Sequence, residues 1–162
     1  MARTVLLADD SVTAQNMGRR ILTDAGYDVI TVNNGSAALK KIHENHPDLI
    51  VLDVYMPGYG GLEVCQRLKE SGETMRIPVL LSVGKMEPFK ADEAKRVRAD
   101  AHIVKCALQE LHRVRVVRIL DIMIDSIEAS LRPCVLDLQA RDELSTCRRA
   151  RSWRKRSGAR SG

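Results

Sequence analysis

Aromatic side chains are scarce: one Phe, one Trp and three Tyr make up 3% of the 162 residues, so any core must be built from aliphatic groups. Long hydrophobic runs are missing as well. No apolar stretch approaches the ~20 residues a membrane helix requires, and Val5 to Ala8 after Arg3 is too short for a signal-peptide core. A soluble, cytoplasmic protein without a membrane partner is expected. Cysteine is sparse and dispersed: Cys65, Cys106, Cys134 and Cys147 form no C-x-x-C pair and have no His at zinc-finger intervals. A disulfide framework or zinc finger is thereby disfavoured, and reduced, unligated thiols are expected. With Gly 10 and Pro 5 the chain is neither collagen-like nor low in complexity.

What is present suits one packed domain with an appendage: 44% apolar and 29% charged residues over a length that excludes two large domains. The net charge of +5 is unevenly placed. Residues 1–105 hold 14 basic and 14 acidic groups, whereas residues 106–162 hold 12 and 7.

Thr4 to Ala8 (TVLLA) is a short apolar run stopped by Asp9-Asp10, as suits a strand buried on both faces of a parallel sheet. Ser11 offers a helix cap, and Ala14, Met17, Ile21, Leu22 and Ala25 mark one helical face that Gly26 ends. The unit repeats. Asp28 to Val32, Leu49 to Asp53, Pro78 to Ser82 and Ala101 to Lys105 read as strands. Ser36 to Asn45, Leu62 to Glu70 and a charged stretch around Ala91 to Arg98 read as the intervening helices, with Leu62, Cys65 and Leu68 inward. Five strands alternating with helices predict an α/β, doubly wound, five-stranded parallel sheet, flavodoxin-like, in the order 2-1-3-4-5. After Lys105, the residues Leu108, Leu111, Val114, Val117, Leu120, Ile124 and Ile127 keep a helical period up to Pro133, although Arg113 to Arg118 also alternates like a strand. From Arg141 onward seven Arg and one Lys face only Asp142 and Glu143, which predicts a disordered basic tail.

Chemistry-bearing residues fall at strand ends: Asp9-Asp10, Asp53, Ser82 and Lys105. In such a sheet, strands one, three, four and five are neighbours, so these side chains converge. Paired carboxylates repel by roughly 4 kcal/mol at about 4 Å and an effective dielectric near 20, so Asp9, Asp10 and Asp53 call for a cation. Mg²⁺ is the natural one, since it takes hard oxygen ligands and joins carboxylates to phosphoryl groups. Lys105 adds positive charge as a partner for Asp53 or its phosphorylated form, and Ser82 offers a hydrogen bond to a phosphoryl oxygen.

The segments LLADDS, LIVLDVYMPGYGG, VLLS and AHIVK together resemble the receiver domain of two-component response regulators, over residues 3–105. The stretch D-x-x-M-P-x-x-x-G from Asp53 to Gly61 is its most specific part. The resemblance implies that Asp53 is the phosphoacceptor, fed by a sensor histidine kinase, a phosphotransfer protein or a small phosphodonor. It implies that Asp10 ligates Mg²⁺ directly, Asp9 through water, and the Tyr55 carbonyl as a third ligand. Ser82 and Lys105 would clamp the phosphoryl oxygens in an in-line transfer. Ser82 would also act as the switch hydroxyl.

The chain departs from the family at three places. His102 stands where the family carries the Tyr or Phe of its switch; it reads either as an imidazole version of that switch or as an exposed strand-edge residue. Arg98 stands near a usual Gly, and Cys106-Ala107 replaces the Pro that follows the lysine. Ala107 to Leu111 can be encoded GCC CTT CAA GAG CTC, and a one-nucleotide shift gives CCC TTC AAG AGC TC, Pro-Phe-Lys-Ser-Ser, an ordinary receiver ending. Residues 106–162 are therefore expected to be translated out of frame, which the coding DNA decides. If native, residues 121–162 are a helical extension and tail beyond a receiver of residues 1–120. Its long helix would offer a homodimer face, and the basic end would hold nucleic acid without sequence specificity.

The expected function is a single-domain switch in phosphorelay signal transduction that changes its surface for a downstream protein target, with self-catalysed phosphorylation and dephosphorylation but no dedicated enzyme activity. The alternatives are a degenerate pseudo-receiver that serves as an interaction module and a DNA-binding regulator that uses the basic tail.

Overall fold

In a computed structural model of the chain, residues 2–105, 117–123 and the two-residue strand 136–137 are described. Five parallel strands alternate with four helices: β1 (Thr4–Ala8), α1 (Val12–Asp24), β2 (Asp28–Val32), α2 (Gly35–Asn45), β3 (Leu49–Asp53), α3 (Gly61–Glu70), β4 (Val79–Val83), α4 (Ala91–Arg96) and β5 (Ala101–Val104). Their order across the sheet is β2-β1-β3-β4-β5, the expected doubly wound arrangement. One strand is additional: β6 (Leu136–Asp137) pairs in parallel with Ala101 and His102 at the outer edge of β5.

Every residue of β3 and β4 is buried, because helices cover both faces of the sheet. Alternation along the strands sorts their side chains into two cores. Leu6, Ile50, Leu52, Val79 and Leu81 pack with Ala38, Ile42, Val64, Cys65, Leu68 and Ala94 from α2, α3 and α4. On the other face Val5, Leu7, Leu49, Val51, Leu80 and Ile103 meet Leu22 of α1 and Ile119, Leu120 and Met123. Residues 117–123 are helical, and Asp121 accepts a hydrogen bond from the Tyr27 hydroxyl at 2.7 Å. This packed unit therefore runs across residue 120. On α1, Ile21 and Leu22 are buried, Ala14 and Met17 are half-buried and Ala25 is exposed, so the buried stripe is narrower than its spacing suggests.

Local signals account for the helix ends. The Ser11 hydroxyl accepts from the Ala14 amide at 3.4 Å and the Asn34 side chain from the Ala37 amide at 2.8 Å, so both caps satisfy an otherwise orphan first-turn donor. After α4 the chain reverses through Arg98 at φ 57°, a left-handed conformation that normally favours glycine. The Arg98 guanidinium donates to the Lys69 carbonyl at 2.9 Å, a contact glycine could not make.

Of the span expected to be out of frame, residues 117–123 and 136–137 are described, and Ile119, Leu120 and Met123 pack into the core; the rest of the fifth helix with its dimer face, the basic tail with its disorder and nucleic-acid contact, and Cys106, Cys134 and Cys147 lie outside the described residues.

Candidate functional site

The parallel register brings the strand ends together. Ala8 is level with Leu52, Asp53 with Ser82, and Val83 with Val104. Since side chains alternate, Asp9, Asp53, Ser82 and Lys105, each two residues beyond Leu7, Val51, Leu80 and Ile103, share the α1 face of the sheet. A cavity of about 90 Å³ beneath α1 is lined by Asp9, Ser82 and Lys105 at the polar end and by aliphatic groups such as Leu7, Met17 and Val51 below.

Within this cluster the Lys105 ammonium donates to both buried acids, at 2.8 Å from Asp53 Oδ2 and 2.8 Å from Asp9 Oδ2. Asp9 is further tied down, since its Oδ1 accepts from the Ser11 amide at 2.9 Å and its carbonyl from the Gln15 side chain at 2.7 Å. Asp53 is only 2% exposed, and its Oδ1 is buried without a hydrogen-bond donor among the described residues. Asp10 is exposed. Carboxylate oxygens of Asp9, Asp10 and Asp53 lie within 4.8 Å of one another.

Burial pushes the Asp53 carboxyl up to about 6, with the charges of Asp9 and Glu87 adding and Lys105 opposing. Burial also works against the Lys105 charge, but the hydrogen bonds to Asp53 and Asp9 outweigh it and hold the ammonium above its ordinary value. The sign of the Asp53 effect on stability follows from linkage. Between the ordinary carboxylate value of 3.8 and about 6 the folded chain holds a proton that the unfolded chain has released. Stability therefore falls as pH rises through that window, and the penalty is complete above it. Asp53→Asn is expected to flatten this limb and to raise the unfolding free energy at pH 7 by on the order of 1 kcal/mol, measured by urea denaturation across pH 4–8 without divalent ions.

The donor set fits Mg²⁺. It offers hard oxygens only, and the Asp53 Oδ1, without a partner among the described residues, is the kind of buried acceptor that a cation satisfies. The hydroxyl of Tyr55 donates to the Pro88 carbonyl and joins the β3–α3 loop to the β4–α4 loop. Gly61 starts α3 so close to β3 that a Cβ there would lie 2.2 Å from the Asp53 carbonyl oxygen.

His102 is elsewhere. It is level with Leu81, 2% exposed, and its ring lies 5.3 Å from that of Phe89. The expectation of an exposed strand-edge residue is thus corrected: β4 and β6 flank His102 and Phe89 packs by its ring. Cys65 is buried, and burial pushes its thiol up to about 12, which leaves no thiolate for redox chemistry near neutral pH. Spacing pointed to none of the loop residues around the site, in particular Glu87.

The response regulator receiver domain family matches residues 5–115. The chain belongs to this family. Among curated relatives it is 36% identical over 105 residues to the alkaline phosphatase synthesis transcriptional regulatory protein PhoP of Bacillus subtilis, with 65% of this chain and 43% of that protein covered. It is 35% identical over 80 residues to the polar-differentiation response regulator DivK of Brucella ovis, with 49% of this chain and 65% of that protein covered. The chain thus spans less than half the length of PhoP and about two thirds of DivK. Among solved structures, chemotaxis response regulator CheY4 of Vibrio cholerae superposes with a TM-score of 0.67 at 30% identity, covering 74% of this chain and 99% of that one. The receiver fold expected from the strand-end motifs is therefore present. No helix among the described residues is long and apolar enough to cross a membrane.

Proposed function

We propose that this receiver domain accepts a phosphoryl group on Asp53 in a Mg²⁺-dependent reaction and reports that state to another protein. The observation that carries the reading is the charge arrangement. One ammonium is shared by two buried carboxylates, while the Asp53 Oδ1 beside them lacks a donor among the described residues. Asp10, Asp53, the Tyr55 carbonyl and, through water, Asp9 would hold the metal. Bound there, Mg²⁺ would supply charge neutralisation for the acids and for the phosphoryl oxygens.

The residues of the chain do the rest. Asp53 attacks phosphorus in line; the new bond is O–P, and the P–N bond to a kinase or phosphotransfer histidine breaks, with the electron pair leaving on the imidazole. Lys105 and Ser82 receive the equatorial oxygens. Lys105 is well placed for this because its present partners compete for it equally. The modified aspartate carries about two negative charges, and their capture would reshape the neighbouring loops. Val12, Tyr55 and Met86 are 69%, 42% and 93% exposed and belong to segments that follow Asp10, Asp53 and Ser82, which suits transfer from and to protein partners. His102, packed on Phe89 of the β4–α4 loop, would sense loop movement. The domain would be a switch rather than a dedicated enzyme, and a cytoplasmic location suits a kinase as donor.

The test is incubation of the full chain with Mg²⁺ and acetyl phosphate, followed by intact mass measurement. Wild type should gain one phosphoryl adduct and Asp53→Asn none; an adduct that persists in Asp53→Asn removes Asp53 as acceptor. An unmodified wild type would favour the degenerate module instead. Mg²⁺ alone should stabilise wild type by about 2.7 kcal/mol at a hundredfold excess over Kd, read as a higher unfolding midpoint. Asp10→Asn should lose most of that gain.

A further inference from the structure

The β4–α4 loop holds itself shut through one carboxylate. The Gly84 amide donates to Glu87 Oε2, and the Glu87 amide donates back to the Gly84 carbonyl at 3.0 Å. A Cβ on Gly84 would lie 2.6 Å from the Glu87 carboxyl carbon, so the latch needs glycine there. The next residue, Pro88, accepts from the Tyr55 hydroxyl, and Phe89 lies against His102. Gly84 stands two residues beyond Ser82, which is level with Asp53, so the latch lies in the loop that leaves the strand end carrying the acid site. Glu87 is partly buried, and its charge is felt at Asp53.

We infer that Glu87 is a positioning residue which latches the β4–α4 loop in the unphosphorylated state and which the phosphorylated aspartate must displace. The inference rests on Asp53 as phosphoacceptor. Its logic is electrostatic. Lys105 is already divided between Asp9 and Asp53, and phosphorylation turns the single charge of Asp53 into about two, so the charge left over after Mg²⁺ and Lys105 have acted falls on Glu87. Repulsion falls on the latch rather than on the strands, because a loop held by a few hydrogen bonds yields more readily than a buried sheet. Release of Glu87 frees the Gly84 amide and carries Phe89 along, so the change reaches His102 on the opposite face of β5. Glu87 would then set the balance between the closed and open loop.

The test uses the full chain with Mg²⁺ and beryllium fluoride as an acyl-phosphate mimic, comparing wild type with Glu87→Gln, Glu87→Ala, Gly84→Ala and Asp53→Asn. Glu87→Gln keeps the hydrogen bond and loses the charge, and Gly84→Ala evicts the carboxylate. Both should bind the mimic about tenfold more tightly, with the gain shrinking at high ionic strength. Glu87→Ala should gain at least as much, and its Gly84 amide should lose the protection from hydrogen exchange that wild type and Glu87→Gln retain. Binding by Glu87→Gln within twofold of wild type, with Asp53→Asn binding none, overturns the latch and leaves the phosphoacceptor intact. Weaker binding by Glu87→Ala beside an unchanged Glu87→Gln marks a merely structural loop contact and overturns it equally. A wild type that binds no mimic and takes no phosphoryl group removes the Asp53 reading and the latch with it.

Discussion

Lys105→Ala is expected to slow phosphoryl acceptance from acetyl phosphate by at least about a hundredfold, the usual cost of removing one preorganised donor from a site of developing negative charge. The same substitution should act on the resting protein. Asp9 and Asp53 are 4% and 2% exposed, and each would lose the ammonium now 2.8 Å away. Two buried carboxylates without a counter-ion cannot both stay ionised, so Asp53, already pushed up to about 6 by burial, would move further up. In the variant, stability would therefore fall with rising pH over a wider window than in wild type, and the deficit at pH 8 would exceed that at pH 5. Mg²⁺ would recover part of it, because the ion supplies the missing positive charge. Denaturation midpoints at the two pH values, with and without Mg²⁺, together with the modification rate, decide the matter. Equal stability of wild type and variant at pH 8 without Mg²⁺ would show that the lysine is not the counter-ion of the pair.

The strand ends were legible for a physical reason. In a parallel sheet covered on both faces, strands must be short apolar runs, so TVLLA and LIVLD stand out; a charged residue after one such run more often caps a helix, but acids, a hydroxyl and a lysine after four of them converge on the carboxyl edge. The period of two did the remaining work, because residues two beyond Leu7, Val51, Leu80 and Ile103 must share a face. Loop residues carry no such period. Glu87 is five residues past Ser82, in a segment of Gly, Lys, Met and Pro that reads as an ordinary turn, and only the fold bends its carboxylate back to Gly84. His102 misled because the last strand of the expected order reads as an open sheet edge, whereas its burial comes from β4, β6 and Phe89. Arg98 was visible as an oddity, yet its compensating bond to the Lys69 carbonyl spans 29 residues of chain.

Lys69 was invisible for the same reason. On α3 it reads as a solvated charge, yet its side chain is 8% exposed. Its ammonium donates to Asp100 Oδ2 at 2.7 Å, the Ile77 carbonyl at 2.9 Å and the Met75 carbonyl at 3.3 Å, so all three protons are used. Asp100 Oδ2 also accepts from the Val79 amide at 2.8 Å, so this single pair ties α3 to the starts of β4 and β5. Removing one member of such a pair strands the other: Asp100 would keep a part-buried charge, and two carbonyls would lose their donor. Lys69→Ala is expected to cost about 3–5 kcal/mol, a large share of the roughly 5–15 kcal/mol that holds an ordinary domain together. The unfolding midpoint should drop by at least about 10 °C. Lys69→Met with Asp100→Asn should recover much of the loss, since methionine fills the stem's volume and the asparagine oxygen can still accept from Val79, whereas Lys69→Met alone should not. The double-mutant cycle separates the two contributions, and strict additivity of the single losses would mean that the pair is not coupled. Because the pair sits at the opposite end of β4 from Ser82, folded Lys69→Met/Asp100→Asn protein should take up phosphoryl groups at the wild-type rate. Stability and the proposed phosphoryl chemistry would then occupy opposite ends of the same strand.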